Sequence, residues 1–158
     1  MIENDRIVLS FVDKSIKVRH FDRRSVATIL SGFKFSQIEK KFEDMGFETL
    51  PEFIGELLYT WGYRKDYNLN MWVIKTTGES KCSPDDDYNE TTGYRIAIMR
   101  AKEKAYDNAL NALSSIGEIF RMGVDLLDNT NTNLAQYSWD EYEAIERVIE
   151  TGKSDMID

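Results

Sequence analysis

Small residues recur at helical spacing through the middle of the chain, and this stripe constrains the fold more than any other feature. Its members are small in the centre and bulky at both ends: Tyr94, Ile98, Ala101, Ala105, Ala109, Ala112, Ile116 and Phe120. Small side chains on one face of a helix let another element approach closely, so the stripe predicts a central packing helix. Unbroken over residues 90–121 it would be about 48 Å long, whereas a compact domain of this length is roughly 40 Å across. We therefore expect a break near Gly117 or Gly123; the alternatives are a protruding helix and a homodimer packed through it.

Alternating, β-branched segments on the N-terminal side of this helix predict strands. Arg6–Val12 and Ser15–Phe21 alternate with a turn-length gap between them, which predicts an N-terminal β-hairpin turning at residues 13–14. Leu69–Thr77 predicts one further strand, with Gly78 as the residue that ends it.

Three short segments between these strands have helical periodicity. They are Arg24–Leu30, Ser36–Met45 with Ser36 as N-cap and Gly46 just beyond its end, and Pro51–Trp61 with a proline in the first turn. Together with the strands they predict an α+β fold with a short-helix insertion.

The C-terminal part differs from the rest in charge. From Asp125 to Asp158 nine acids stand against Arg147 and Lys153, a net charge of −7 out of −8 for the whole chain. Residues 128–137 are polar and aperiodic, and Ser138 can cap a final helix that ends at Gly152. We therefore divide the chain into an α+β core domain at 1–127, a polar linker at 128–137, and an acidic helix and tail at 138–158.

The acidic helix is a candidate binding surface. We expect a face formed by Trp139, Tyr142, Ile145 and Ile149 to dock onto the body of the protein. The acids Asp140, Glu143, Glu146 and Glu150 would then face a protein partner with a basic surface. The alternative is a solvated helix that only aids solubility.

A second candidate surface is rich in aromatic and basic residues. Trp61, Tyr63, Arg64 and Tyr67 are of the types that dominate protein–protein hot spots. Aromatic and basic residues also stack nucleobases, although the acidic pI of about 4.8 makes nucleic acid an unlikely partner. The third interpretation places the tryptophans in the core with the tyrosines covering it.

Standard catalytic and metal-binding arrangements are scarce. The chain has one histidine and one cysteine, which leaves a His20–Cys82 pair as the only thiol dyad. Residues 85–96 fail the calcium-loop pattern, because Glu90 occupies the glycine position and Ile96 the final glutamate position. We predict no enzyme activity, no metal and no cofactor, with carboxylate catalysis as the alternative.

A helix-turn-helix DNA regulator is a further alternative. Gly32-Phe33 lies between two segments of helical periodicity within Ala27–Phe42, and Lys34, Lys40 and Lys41 could contact phosphates.

The cellular location follows from simple features. The N-terminus has neither a basic nor an apolar leader region, no apolar run is long enough to cross a bilayer, and a single cysteine fits a reducing compartment. We expect the cytoplasm and no membrane partner.

One stretch resembles a pattern found in small phage and bacterial proteins of unknown function. Within residues 78–105, the resemblance depends on Cys82, Pro84, Asp86, Gly93, Ile96, Ala97, Arg100 and Ala101. It implies a strand that runs through a Cys-x-Pro turn into a helix, and a phage origin. Together with the candidate binding surfaces, this origin gives the hypothesis of a non-enzymatic binding protein, encoded by a phage, that modulates or inhibits a host protein in the host cytoplasm.

Overall fold

The structure, a computed structural model, describes residues 8–152. Its α+β class confirms the prediction. The elements are β1 (Ser10–Phe21), β2 (Arg24–Lys34), α1 (Ser36–Asp44), α2 (Leu50–Thr60), β3 (Arg64–Asp66), β4 (Met71–Lys81) and α3 (Glu90–Thr151). The strands form one antiparallel sheet in the order β1-β2-β4-β3.

The chain divides after Ile116 into two compact units. Several predictions concern residues outside the described range: the leader argument, the start of the first strand, and the terminal charges Lys153, Asp155 and Asp158. In the part that the structure describes, no helix is both long enough and apolar enough to span a bilayer.

The predicted N-terminal hairpin has its turn in the wrong place. Residues 13–14 form an irregularity within one continuous strand, because the register of β1 against β2 shifts between Asp13 and Ser15. The turn lies instead at residues 22–23, where Arg23 has φ 55°. Its side chain donates hydrogen bonds to the carbonyls of Ser83 and Asp86, and its own carbonyl accepts one from Cys82 N at 2.9 Å. These bonds offset the cost of the left-handed conformation.

The predicted helix Arg24–Leu30 is wrong, because this segment belongs to β2. Alternate residues of β2 are buried, namely Ser25, Ala27, Ile29, Ser31 and Phe33. This period of two is typical of a strand with one covered face. The finding also removes the helix-turn-helix alternative, since a strand precedes α1.

The two short helices after β2 are confirmed to within a residue or two at their ends. Pro51 lies in the first turn of α2, and Gly46 follows α1 with φ +80°. The predicted cap of α1 is wrong: Phe35 is at the N-cap and no side chain caps the helix.

The first part of α3 packs on the sheet through its small residues, as the stripe predicted. Gly93, Ala97, Ala101, Ala105, Ala109, Ala112 and Ile116 are buried, whereas Tyr94 and Phe120 are partly exposed. Gly78 does not end a strand as predicted; it lies within β4, directly beneath the helix backbone. A Cβ there would be 2.2 Å from the Ala97 carbonyl oxygen.

Two clusters form the core of the first unit. One joins Ala27 and Ile29 of β2 to Ala97 and Ala101 of α3. The other lies at the far end of the sheet, where residues from five segments meet: Phe33, Phe35, Ile38, Leu58, Tyr63, Ala109, Ala112 and Ile116.

The predicted break in α3 and the predicted non-helical linker are both wrong. Residues 117–151 are helical throughout, including Gly117, Gly123 and the segment 128–137. A glycine costs a helix only about 1 kcal/mol relative to alanine, so neither glycine is sufficient to end it. The diameter of a single compact body does not limit the length of α3, because the chain divides into two units.

Candidate functional site

The candidate binding surface on the C-terminal part of α3 combines aromatic and acidic side chains. Trp139, Glu143, Glu146 and Glu150 follow one another at intervals of three or four residues, which places them along one side of the helix. Trp139 and Tyr142 stack with ring centroids 5.5 Å apart, and Trp139 Nε1 donates a hydrogen bond to Glu143 Oε1 at 2.9 Å. We call this set, with Tyr142, the acidic–aromatic stripe.

An apolar strip lies beside the acidic–aromatic stripe. It consists of Ala144, Ile145, Val148 and Ile149, which together line a shallow depression. Trp139, Tyr142, Ile145 and Ile149 are each more than half exposed. The side chains that we predicted to dock onto the body of the protein are therefore exposed on the helix.

Asp140 lies apart from the other three predicted acids. Its carboxylate accepts a hydrogen bond from Gln136 Nε2 at 2.9 Å, one turn earlier on the helix. The structure thus brings Glu143, Glu146 and Glu150 together with the two aromatic rings, and places Asp140 on a neighbouring side.

The second unit lacks a core of its own among its described residues. None of residues 117–152 is buried, and eight acids stand against Arg121 and Arg147 in this range. Asparagine and threonine at 129–133 are weak helix formers, and the hydroxyls of Thr130 and Thr132 bond back to carbonyls four residues earlier. Since most helical stability in proteins comes from packing of an apolar face, a helix of this composition would gain stability from a partner.

The second predicted surface, around residues 61–67, is not one surface. Tyr63 is fully buried in the core, and Trp61 packs against it. Burial raises the pKa of Tyr63 to about 12. Arg64 is exposed, with its guanidinium 4.3 Å from the centre of the Tyr59 ring. Only Tyr67 extends freely, with 86% of its surface exposed.

Tyr67 lines a cavity of the first unit that has a volume of about 470 Å³. Four glutamates line the same cavity, namely Glu39, Glu43, Glu48 and Glu52. Lys65 lies among them, with its Nζ 5.7 Å from the ring centres of both Phe35 and Trp72. Lys65 also donates to Asn70 Oδ1 at 2.5 Å, and Asn70 in turn donates to Glu39. Four glutamates would attract a cation to this cavity, and the ammonium group of Lys65 already supplies a positive charge there.

The histidine and the cysteine belong to separate hydrogen-bond networks. His20 Nδ1 lies 2.8 Å from Ser25 Oγ, which lies 2.6 Å from the Tyr88 hydroxyl. Ser25 is completely buried, so its hydroxyl is not positioned to attack a substrate. Cys82 Sγ donates to the Asp86 carbonyl. Within residues 8–152, no group of three or more His, Cys, Asp and Glu residues is arranged to hold a metal ion.

The structure also reveals a basic surface that the sequence argument missed. The face of the sheet opposite α3 has a depression of about 400 Å³, whose lining residues are Lys17, Arg19, Phe21, Arg24, Val26, Thr28 and Lys75. The alternation of Lys17 and Arg19 in β1 was a usable signal. A helix at Arg24–Leu30 would, however, remove the strand that joins β1 to β4, so the sequence did not predict that these basic residues share one face.

Comparison with known protein families, with curated proteins and with solved structures finds no match for this chain.

Proposed function

We propose that this chain is a non-enzymatic protein-binding protein, and that residues 139–150 of α3 bind a partner with a basic surface. The observation that supports this most directly is the exposure of Trp139, Tyr142, Ile145 and Ile149 beside Glu143, Glu146 and Glu150. Exposed apolar patches rimmed by polar residues are typical of interaction surfaces, and on this rim three glutamates stand against Arg147.

The two sets of residues would act differently in binding. The apolar strip supplies most of the affinity, because each buried aliphatic side chain is worth about 1.5–3 kcal/mol. The acids supply orientation and association rate, since charges at the rim of an interface mainly change the on-rate and its salt dependence. A partner that fits is an apolar groove bordered by lysines or arginines, into which an amphipathic helix can lie.

The phage origin belongs to the same proposal. The resemblance of residues 78–105 supports the phage origin and brings no activity with it. With that origin, the basic partner would be a host protein in the host cytoplasm, which the chain modulates or inhibits.

The test uses the full chain. The immobilised protein is used to capture partners from a bacterial lysate, and the affinity of each captured protein is then measured with purified components. A variant with Asp140, Glu143, Glu146 and Glu150 changed to Lys should lose affinity about tenfold or more at low salt, and its on-rate should fall most. A second variant, Trp139→Ala, should lose affinity through a faster off-rate.

A matched control carries the same change in net charge on the first unit. Asp44, Glu56, Glu103 and Asp107 are all exposed, and changing these four to Lys should leave the affinity within about twofold of wild type. Equal loss in both quadruple variants would mean that only net charge matters, and no loss in either would refute a binding role for the acidic–aromatic stripe.

A further inference from the structure

We propose that the open face of the sheet is a binding site for single-stranded nucleic acid. This face, the side of β1, β2 and β4 opposite α3, presents basic side chains that include Lys17, Arg19, Arg24, Lys75 and Lys81. It is separate from the acidic–aromatic stripe, so the proposal does not rest on the proposed function.

The strand register places these cations around an uncharged centre. Lys17 lies opposite Thr28, and Arg19 lies opposite Val26. Lys75 lies opposite Leu30 on the far side of β2. Since Val26 and Thr28 are short and their neighbours are long, the centre of the face is a depression with a partly apolar floor and basic walls.

Within residues 8–152, carboxylates neutralise only part of the positive charge on this face. One acid on the face is Glu79, whose Oε1 lies 2.8 Å from Arg24 Nε and 3.3 Å from Lys81 Nζ. Asp66, on the same side at the β3 edge of the sheet, is paired with Lys14. Burial raises the pKa of Glu79, but hydrogen bonds and charge from Arg24 and Lys81 outweigh this effect and lower it overall. One carboxylate shared between two cations leaves an excess of positive charge, to which Lys17, Arg19 and Lys75 contribute.

An exposed aromatic ring completes the site. Phe21 is 52% exposed at the end of β1, and the Arg24 guanidinium lies 5.6 Å from the centre of its ring. Single strands are bound by basic grooves in which bases stack on aromatic rings and on arginine. A sheet face with cations along it and a ring at one end matches this chemistry better than that of an acidic peptide, which needs no exposed ring.

The net charge of −8 is compatible with such a site. The Debye length is about 8 Å at physiological ionic strength, so charges close to a bound strand outweigh distant ones. On the open face, the nearby charges are predominantly positive.

The test measures the fluorescence anisotropy of a labelled oligothymidylate of about 12 nucleotides, a length within the usual site sizes, with the full-length protein. We expect binding that weakens linearly on a log–log plot against salt. The variant K17E/R19E should abolish binding at moderate salt, and K17A/R19A should reduce the salt slope by about 1.4, since each phosphate contact to a single strand contributes about 0.7. Phe21→Ala should weaken binding about fivefold or more through lost stacking.

Matched control variants distinguish loss of this binding site from a general change in net charge or in exposed aromatic surface. K40E/R95E makes the same change in net charge at two exposed positions outside the face, and Phe47→Ala removes an exposed ring elsewhere; both should bind as wild type. Circular dichroism should show that all variants fold.

Three results would overturn the proposal. One is no binding at low salt, and another is equal loss in K17E/R19E and K40E/R95E. The third is binding of polyglutamate as tight as that of the oligonucleotide, together with no effect of Phe21→Ala, which would identify a general polyanion surface.

Discussion

Replacing Gly78 with alanine should push α3 away from the sheet. A Cβ at this position would lie 2.2 Å from the Ala97 carbonyl oxygen and 2.3 Å from the Ala101 nitrogen. Both atoms belong to the helix backbone, so no side-chain rotation can relieve the overlap. The helix has to move by about 1 Å to restore ordinary contact distances.

The magnitude follows from what that movement disturbs. Overpacking of a well-packed site costs about 1–3 kcal/mol. Side-chain bonds that join β4 to α3 would also stretch, including Thr76 Oγ1 to the Ala101 carbonyl at 3.0 Å and Lys104 Nζ to the Thr77 carbonyl at 2.9 Å, each worth about 1 kcal/mol. Alanine also lowers the conformational entropy of the unfolded chain relative to glycine, which raises the free energy of unfolding by about 0.4–1 kcal/mol. We expect a net loss of about 2–4 kcal/mol.

Urea unfolding followed by tryptophan fluorescence measures this loss in the first unit, if Trp139→Phe is the background so that only Trp61 and Trp72 report. The control is Gly117→Ala: a Cβ there meets nothing within 4 Å, and Gly117 belongs to the second unit, so this variant should not lower the stability of the first unit. A loss for Gly78→Ala and none for Gly117→Ala are the expected result. If Gly78→Ala is as stable as the background protein, the close approach of α3 to β4 is refuted.

Three other substitutions or conditions test the core and its ion pairs. Ala105→Glu would bury an unpaired charge at a position that is 1% exposed, so it should cost several kcal/mol; an unchanged melting temperature would place the alanine stripe in solvent. Tyr63→Phe should keep or raise the free energy of unfolding, by up to about 1 kcal/mol, because the buried hydroxyl has no hydrogen-bond partner in residues 8–152; a large loss would reveal a partner. A hydrogen bond from Lys14 lowers the pKa of Asp66, so its stabilising contribution is present above the unfolded pKa of about 3.9 and is lost as the pH falls through the lowered value. Unfolding of wild type and Lys14→Ala should therefore differ at neutral pH and converge in acid, and a constant difference would contradict the ion pair.

Local periodicity was sufficient for some elements and insufficient for others. The small-residue stripe and the helix at residues 50–60 were predictable because their patterns are helical and match their tertiary surroundings. β2 was not, since Arg24–Leu30 mixes helix-favouring alanine and leucine with three β-branched residues that favour a strand. The pairing of both its edges with β1 and β4 decides for the strand. The role of Gly78 was not predictable either, because it depends on the close approach of α3, which begins 12 residues later.

The two candidate sites also differ in how far the sequence alone predicts them. The acidic stretch could be located from the sequence, because charge density is a local property. The cluster of Glu143, Glu146 and Glu150 with Trp139 also follows from helical spacing. The open face of the sheet could not be predicted, since Lys17 and Lys75 are 58 positions apart in the sequence and are brought to one surface only through β2.

Net charge is a poor guide to the partners of this chain because the two signs are segregated. The acids concentrate after residue 124, and the first 124 residues have a net charge of −1. A near-zero average over that part conceals a sheet face on which bases outnumber acids. Compensating acids lie elsewhere, including the four glutamates around Lys65. Binding responds to the potential within about one Debye length of the ligand, not to the sum over the chain. The acidic pI therefore disfavours nucleic acid at the acidic helix and not at the open face of the sheet.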